Sequence, residues 1–343
     1  MFGKILILSG AAVLLPLGAT VATGAADFSP AEQQRASAWN RQLSFTLQPD
    51  EGGPSDRVHL SLRHGDGNSR SHYGRTFARS DLEGLGTAAG PVRFRIAREA
   101  GTVECSGTMR GRRGTGDCSF TPDAAFAAEL ERRGIGRPQA EEQFHLAMAG
   151  VGRPLLVELE RQSYPRPRVR DLVALGIHGA DVDYLRGLDQ AGYRVGNLER
   201  LVEFRIHGVT PAYIAELSAL GGEFRGMAPE RLTEMRIHGV TPGFARAMSE
   251  LGYRGLGPSQ LVAMRIHGVT EARVREFAAI GYRNLTSDAL TQFAIHGVTP
   301  TYVREMAAAG YSDLSPEQLV NLRIHGVRAD DAAAINAAVA GRD

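Results

Sequence analysis

The chain has 343 residues, 43% of them hydrophobic and 22% charged, an ordinary globular composition that excludes a disordered tail. Its 39 basic residues face 38 acids, Lys4 is the only lysine, and beyond the first 26 residues the charges balance. That balance argues against bulk electrostatic binding of nucleic acid or anionic lipid.

Residues 1–26 read as an export signal. Lys4 is the positive start, Ile5 to Val21 is apolar apart from Pro16 and Gly18, and Ala22-Thr23-Gly24-Ala25-Ala26 offers the small residues a signal peptidase needs. The apolar run is also close to the roughly 20 residues that span a bilayer, so an uncleaved N-terminal anchor is the alternative. Either reading places the remainder outside the cytoplasm, in the periplasm or secreted. Contact with a membrane is expected only if the leader stays attached.

Residues 27–120 are expected to form a small antiparallel β domain. Leu43-Ser-Phe-Thr-Leu47, Val58-His-Leu-Ser-Leu62 and Val92-Arg-Phe-Arg-Ile96 alternate with period two, with breaks at Asp50-Glu-Gly-Gly-Pro54 and Asp66-Gly-Asn68. Five or six strands fit in this segment, with residues 27–40 and the lone Trp39 as a short helix or loop on the edge. Cys105 and Cys118 each lie on the apolar side of an alternating run, and Arg110-Gly-Arg-Arg-Gly114 is a turn between them. A disulfide across a hairpin is expected in an oxidising compartment, with two buried thiols as the alternative. His59, His64 and His72 read as strand or loop residues.

Residues 121–343 are expected to be an α-helical solenoid, which makes the chain an α+β multidomain protein. Ile-His-Gly recurs with its histidine at His178, His207, His238, His267, His296 and His325, at spacings of 29, 31, 29, 29 and 29. The longer spacing reflects two extra residues in Gly221-Gly-Glu-Phe-Arg-Gly226. If Gly208 ends a helix in the left-handed conformation, a Schellman motif requires apolar residues at Phe204 and Val209. The same pair of positions is apolar in all six units. Gly208, Gly239, Gly268, Gly297 and Gly326 are therefore read as helix-ending glycines, and the six histidines as caps near helix C-termini. Thr210, Thr241, Thr270 and Thr299 are N-caps, with proline following three of them.

A second joint carries Gly192, Gly221, Gly252, Gly281 or Gly310, usually before a tyrosine, so each unit holds two helices. Tyr193, Tyr253, Tyr282 and Tyr311 read as a packing stripe. The clear units cover 171–343. Residues 121–170 are degenerate, with Ala149 in the histidine place and Thr121–Leu130 as an isolated first helix. Helices this short are marginal alone and need neighbouring units to cover their apolar stripes.

The Pro91-Val-Arg-Phe-Arg-Ile96 and Thr102-Val-Glu-Cys-Ser-Gly-Thr-Met-Arg-Gly111 runs, with the Leu-Arg-Ile-His-Gly-Val-Thr-Pro repeats after them, resemble bacterial exported proteins of unknown role. Similar repeats occur in extracytoplasmic parts of antirepressor-type membrane sensor metalloproteases. The resemblance spans roughly residues 40 to 340 and implies no established activity. With no His-Glu-x-x-His present, the protease role does not carry over.

The expected function is non-catalytic binding of another envelope protein through the repeat surface. No catalytic set, phosphate loop or cofactor is expected. Arg205, Arg236, Arg265 and Arg323 stand at a fixed offset and form a row that either meets acidic partners or contacts an anionic ligand or protein surface. The Gly-Val-Thr-Pro joint resembles the hairpin of helix-hairpin-helix DNA binders, giving an exported DNA-binding protein as the alternative. Its second glycine is threonine here, and the segment from Asp171 onward holds 17 arginines against 20 acids, so nucleic acid is not the expected partner. The histidines also raise a metal-binding repeat protein, but one per unit at roughly 10 Å intervals does not form a ligand set.

Overall fold

The computed structural model describes residues 43–340 apart from 51–53, 55 and 66–70. The leader and residues 27–42, Trp39 among them, lie outside the described residues.

Alternating apolar residues produce six antiparallel strands: β1 (Leu43–Pro49), β2 (Arg57–His64), β3 (Ser71–Ala78), β4 (Gly90–Arg98), β5 (Gly101–Arg110) and β6 (Arg113–Pro122). Their order is β3-β2-β1-β6-β5-β4, two three-stranded meanders joined where β1 pairs with β6. One face carries Leu43, Phe45, Leu47, Leu60, Phe94, Ile96, Val103 and Phe120, all buried. Cys105 stands opposite Cys118 in register, with Cα atoms 4.1 Å apart, and the two are joined in a disulfide.

Gly107 and Gly116 are also opposite each other, and Phe45 faces Gly116 from β1. The missing side chains leave room for the Phe45 ring, which meets Phe94 edge-on at 5.1 Å.

Helices follow: α1 (Ala124–Arg132), α2 (Ala140–Ala149), α3 (Arg153–Arg161), α4 (Val169–His178) and α5 (Val182–Gln190). Then come α6 (Leu198–Ile206), α7 (Pro211–Ser218), α8 (Pro229–Ile237), α9 (Pro242–Glu250) and α10 (Pro258–Ile266). The array ends with α11 (Glu271–Ala279), α12 (Ser287–His296), α13 (Pro300–Ala308), α14 (Pro316–Ile324) and α15 (Ala329–Ala340). From α2 onward each helix packs on the next but one, so even-numbered helices form one layer and odd-numbered helices the other. The two extra residues of the longer spacing fall at a short 3₁₀ turn, Gly222–Phe224.

The isolated helix, α1, closes at its C-terminus in the manner of the odd-numbered helices. Asp123 caps it at Phe126 N–H, and Ile135 N–H returns to Leu130 O as Tyr193 N–H returns to Leu188 O at the second joint. The sheet and array share one core. Phe144 of α2 packs edge-on to Phe120 and Tyr73, and the Tyr73 hydroxyl donates to Met148 O at 2.8 Å.

Glu158 of α3 is buried, 2% exposed, and ties this first turn of the array together. Its carboxylate accepts from Arg161, Gln162 and, in α5, Arg186, while Arg161 also reaches Asp189. The Arg161 bond leads the causes that lower its pKa from 4.5 to about 2. A depressed carboxylate pKa stabilises the fold above the unfolded value, and that contribution is lost as pH falls through the folded value. Thermal melts should therefore drop between pH 4.5 and about 2, and Glu158→Gln should flatten that part of the profile. An identical acid limb in wild type and variant would contradict the assignment.

Candidate interaction surface

The repeat joints are built from backbone. At the first joint Val209 N–H bonds Phe204 O at 2.8 Å and Gly208 N–H bonds Arg205 O at 3.2 Å, the paired bonds of a Schellman turn. The first of these bonds recurs from Ala180 to Leu175 through Val327 to Leu322, and the paired glycine bond accompanies it except at Gly297, whose N–H turns to Phe293 O; Gly179, Gly208, Gly239, Gly268, Gly297 and Gly326 lie at φ between 69° and 74°. Thr210 Oγ1 then accepts from Tyr213 N–H to start the next helix, as Thr241, Thr270 and Thr299 do in their units. At the second joint the hydroxyls of Tyr193 and Tyr282 donate to Met227 O and Leu314 O of the following unit.

The arginine row lies between units, not free on the surface. The Arg205 guanidinium sits 4.8 Å over the Tyr184 ring of the preceding unit and donates through Nε to His178 O at 3.1 Å. The Tyr184 hydroxyl donates in the other direction, to Val209 O of the arginine's own joint, at 2.7 Å. Arg236 with Tyr213 and Arg323 with Tyr302 repeat all three contacts. Each junction so equipped is clamped by a cation–π contact and two hydrogen bonds running in opposite directions. Burial raises the Tyr213 phenol to about 12 against the pull of Arg236, so it stays a neutral donor.

Two junctions depart from this pattern. Arg265 lies over Phe244, which has no hydroxyl, and Arg265 Nε has no hydrogen-bond partner among the described residues. At the next junction Arg273 holds the aromatic position and Ala294 the arginine position, so both halves of the clamp are absent together. There Phe277 and Phe293 meet at 5.1 Å and fill the core.

The clamp gives the joint glycines unequal roles. A side chain on Gly208 would stand 2.9 Å from Arg236 Nη2, whereas nothing lies within 4 Å of the same point at Gly268. Both glycines have similar positive φ, so alanine strains each by about 1–2 kcal/mol. Gly208→Ala should cost more than Gly268→Ala in urea melts, and the difference should vanish when Arg236 is also replaced by alanine. Equal costs in the otherwise native chain would remove the steric link.

His207, His238, His267 and His325 stand at the C-caps of their helices, and His178 and His296 end theirs just before the left-handed glycine. His178, His207 and His296 offer the backbone carbonyl to the next unit's arginine. Gly and Val amides satisfy other terminal carbonyls. His296 Nε2 lies 3.1 Å from Gln292 Oε1. In the sheet, His59 Nδ1 meets Thr76 Oγ1 at 3.4 Å. Among the described residues no three His, Cys, Asp or Glu side chains gather as a metal site.

The residue before each histidine was not singled out in the sequence. Ile177, Ile206, Ile237, Ile266, Ile295 and Ile324 are 46% to 56% exposed, and they are six of the seven large hydrophobic residues on the described surface. Ile206 lies two residues beyond buried Phe204, about 200° round the helix, so the joint that buries Phe204 turns the isoleucine outward. Stacking of the even-numbered helices repeats this placement from unit to unit and builds an apolar ladder. Beside it the first turns carry exposed Glu199, Asp288 and Glu317, which form no ion pair among the described residues.

No family model, curated protein or solved structure matches the chain.

Proposed function

We propose that this is a non-catalytic exported protein that binds another envelope protein through its helical array. The isoleucine ladder carries the reading. A β-branched apolar residue at an exposed helix position contributes little burial and lowers helix propensity slightly, yet it stands there in all six units. A row of exposed apolar residues repeated across packed helices is the kind of surface that marks an interaction site. The disulfide fits an oxidising compartment, and no helix among the described residues is long and apolar enough to cross a membrane.

The other readings have less support. An amide that a phosphate would use at each Thr-capped helix start is already bonded to the threonine hydroxyl, and the nearby arginines are held over aromatic rings. The test is cross-linking of the full chain in the envelope, comparing wild type with an Ile206→Gln, Ile237→Gln, Ile266→Gln variant of unchanged melting temperature. A discrete adduct lost in the variant supports the reading. The same adducts from both proteins, or none from either, would overturn it.

A further inference from the structure

We infer that the partner of the ladder is a long amphipathic α-helix with an apolar residue at heptad spacing and basic residues along one flank. This rests on the protein-binding reading above and narrows it to one class of ligand.

The argument is one of matching periods. Packed helices lie about 8–10 Å apart, which sets the distance between rungs in the even-numbered layer. Seven residues of an α-helix rise about 10.5 Å and return a side chain to nearly the same face. An extended strand advances about 10 Å in three residues, but its third side chain points to the opposite face. A strand therefore meets one rung and misses the next, whereas a helix lying along the array meets successive rungs. Six rungs correspond to about five heptads.

Charge supplies the second criterion. The strip of first turns beside the rungs carries Glu199, Glu230, Asp288 and Glu317, and Arg170 is the one basic residue at the equivalent place. Glu230 pairs with Arg200, but the other three acids are exposed without an ion pair among the described residues. An acidic border favours a partner with Lys or Arg on the facing flank and disfavours an anionic lipid surface. The ladder's occupant is not one of this chain's own described helices, since the longest, α15, has 12 residues.

The probe is a fluorescent synthetic peptide of four heptads, with leucine at two positions per heptad and arginine along one flank. A first control has the same composition with leucines at every fifth residue, which spreads them round the helix. A second has glutamate in place of arginine. Anisotropy titration with the full chain should show the heptad peptide binding at least about tenfold more tightly than either control. Ile237→Gln, Ile266→Gln, Ile295→Gln should remove that preference. Equal binding of all three peptides, or no binding of the heptad peptide, overturns the helical partner, while cross-linking to an envelope protein would still stand on its own result. Concentration-dependent dimerisation of the full chain that disappears in the ladder variant would overturn it in favour of a second copy. Flotation with anionic vesicles that depends on the same isoleucines would overturn it in favour of a lipid surface.

Discussion

Replacing Gly116 with alanine is expected to disrupt the sheet and not merely loosen it. The added carbon would stand 2.2 Å from Ser106 O, 2.6 Å from Gly107 Cα and 2.7 Å from the Phe45 ring. Two of these are backbone atoms of a paired strand, so no rotamer change relieves the overlap. The strands must part, and the Phe45–Phe94 contact goes with them. The expected cost is about 3 kcal/mol or more. Gly111→Ala at the β5–β6 turn is the control: its φ is also positive, at 62°, but nothing lies within 4 Å of the new carbon. Strain alone there should cost about 1–2 kcal/mol. Urea unfolding of the oxidised protein reads both. Similar costs for the two variants would mean that β5 and β6 do not approach as closely as described.

The second large effect concerns the clamp. Arg236→Met keeps the aliphatic stem and removes the cation and its donors, while Tyr213→Leu removes the ring and hydroxyl. Each should destabilise the array by about 1–3 kcal/mol, since either leaves a carbonyl of the junction without its partner. The two losses should not add. A coupling of about 1–2 kcal/mol is expected in the double-mutant cycle, well above the few tenths seen for independent sites. The complementary experiment builds a clamp where there is none. Arg273→Tyr with Ala294→Arg should stabilise the chain by about 1 kcal/mol beyond the sum of the single changes. Additive behaviour in both cycles would reduce the guanidinium–ring geometry to incidental proximity.

The joints were legible in the sequence because they follow local rules. Glycine at a left-handed position, apolar residues before and after it, and threonine followed by proline each act within one turn of chain. Cys105 and Cys118 were legible for a similar reason, as two alternating runs either side of a short turn. The clamp was not, because its halves sit on different units and meet only after stacking. A signal was nevertheless present: arginine two residues before one histidine accompanies an aromatic six residues after the previous one, and both are missing at Ala294 and Arg273. The helix-ending places of the histidines were legible in the same way, but the bonds from three of their carbonyls to the next unit's arginine were not, since those partners too meet only after stacking. The isoleucines were overlooked because they read as part of a motif, although the angle from Phe204 to Ile206 already turned them outward.

The clamp also decides how such an array tolerates gain and loss of repeats. Its two halves belong to neighbours, so what must be preserved in a rearrangement is the boundary between units. Excising residues 236–264 would bring Arg265 to Tyr213 and recreate a full clamp. Excising residues 294–322 would instead bring Arg323 to Arg273, setting two cations face to face across the new boundary. Deletions of equal length therefore have opposite outcomes: the array is modular only along seams where a leading aromatic meets a following arginine.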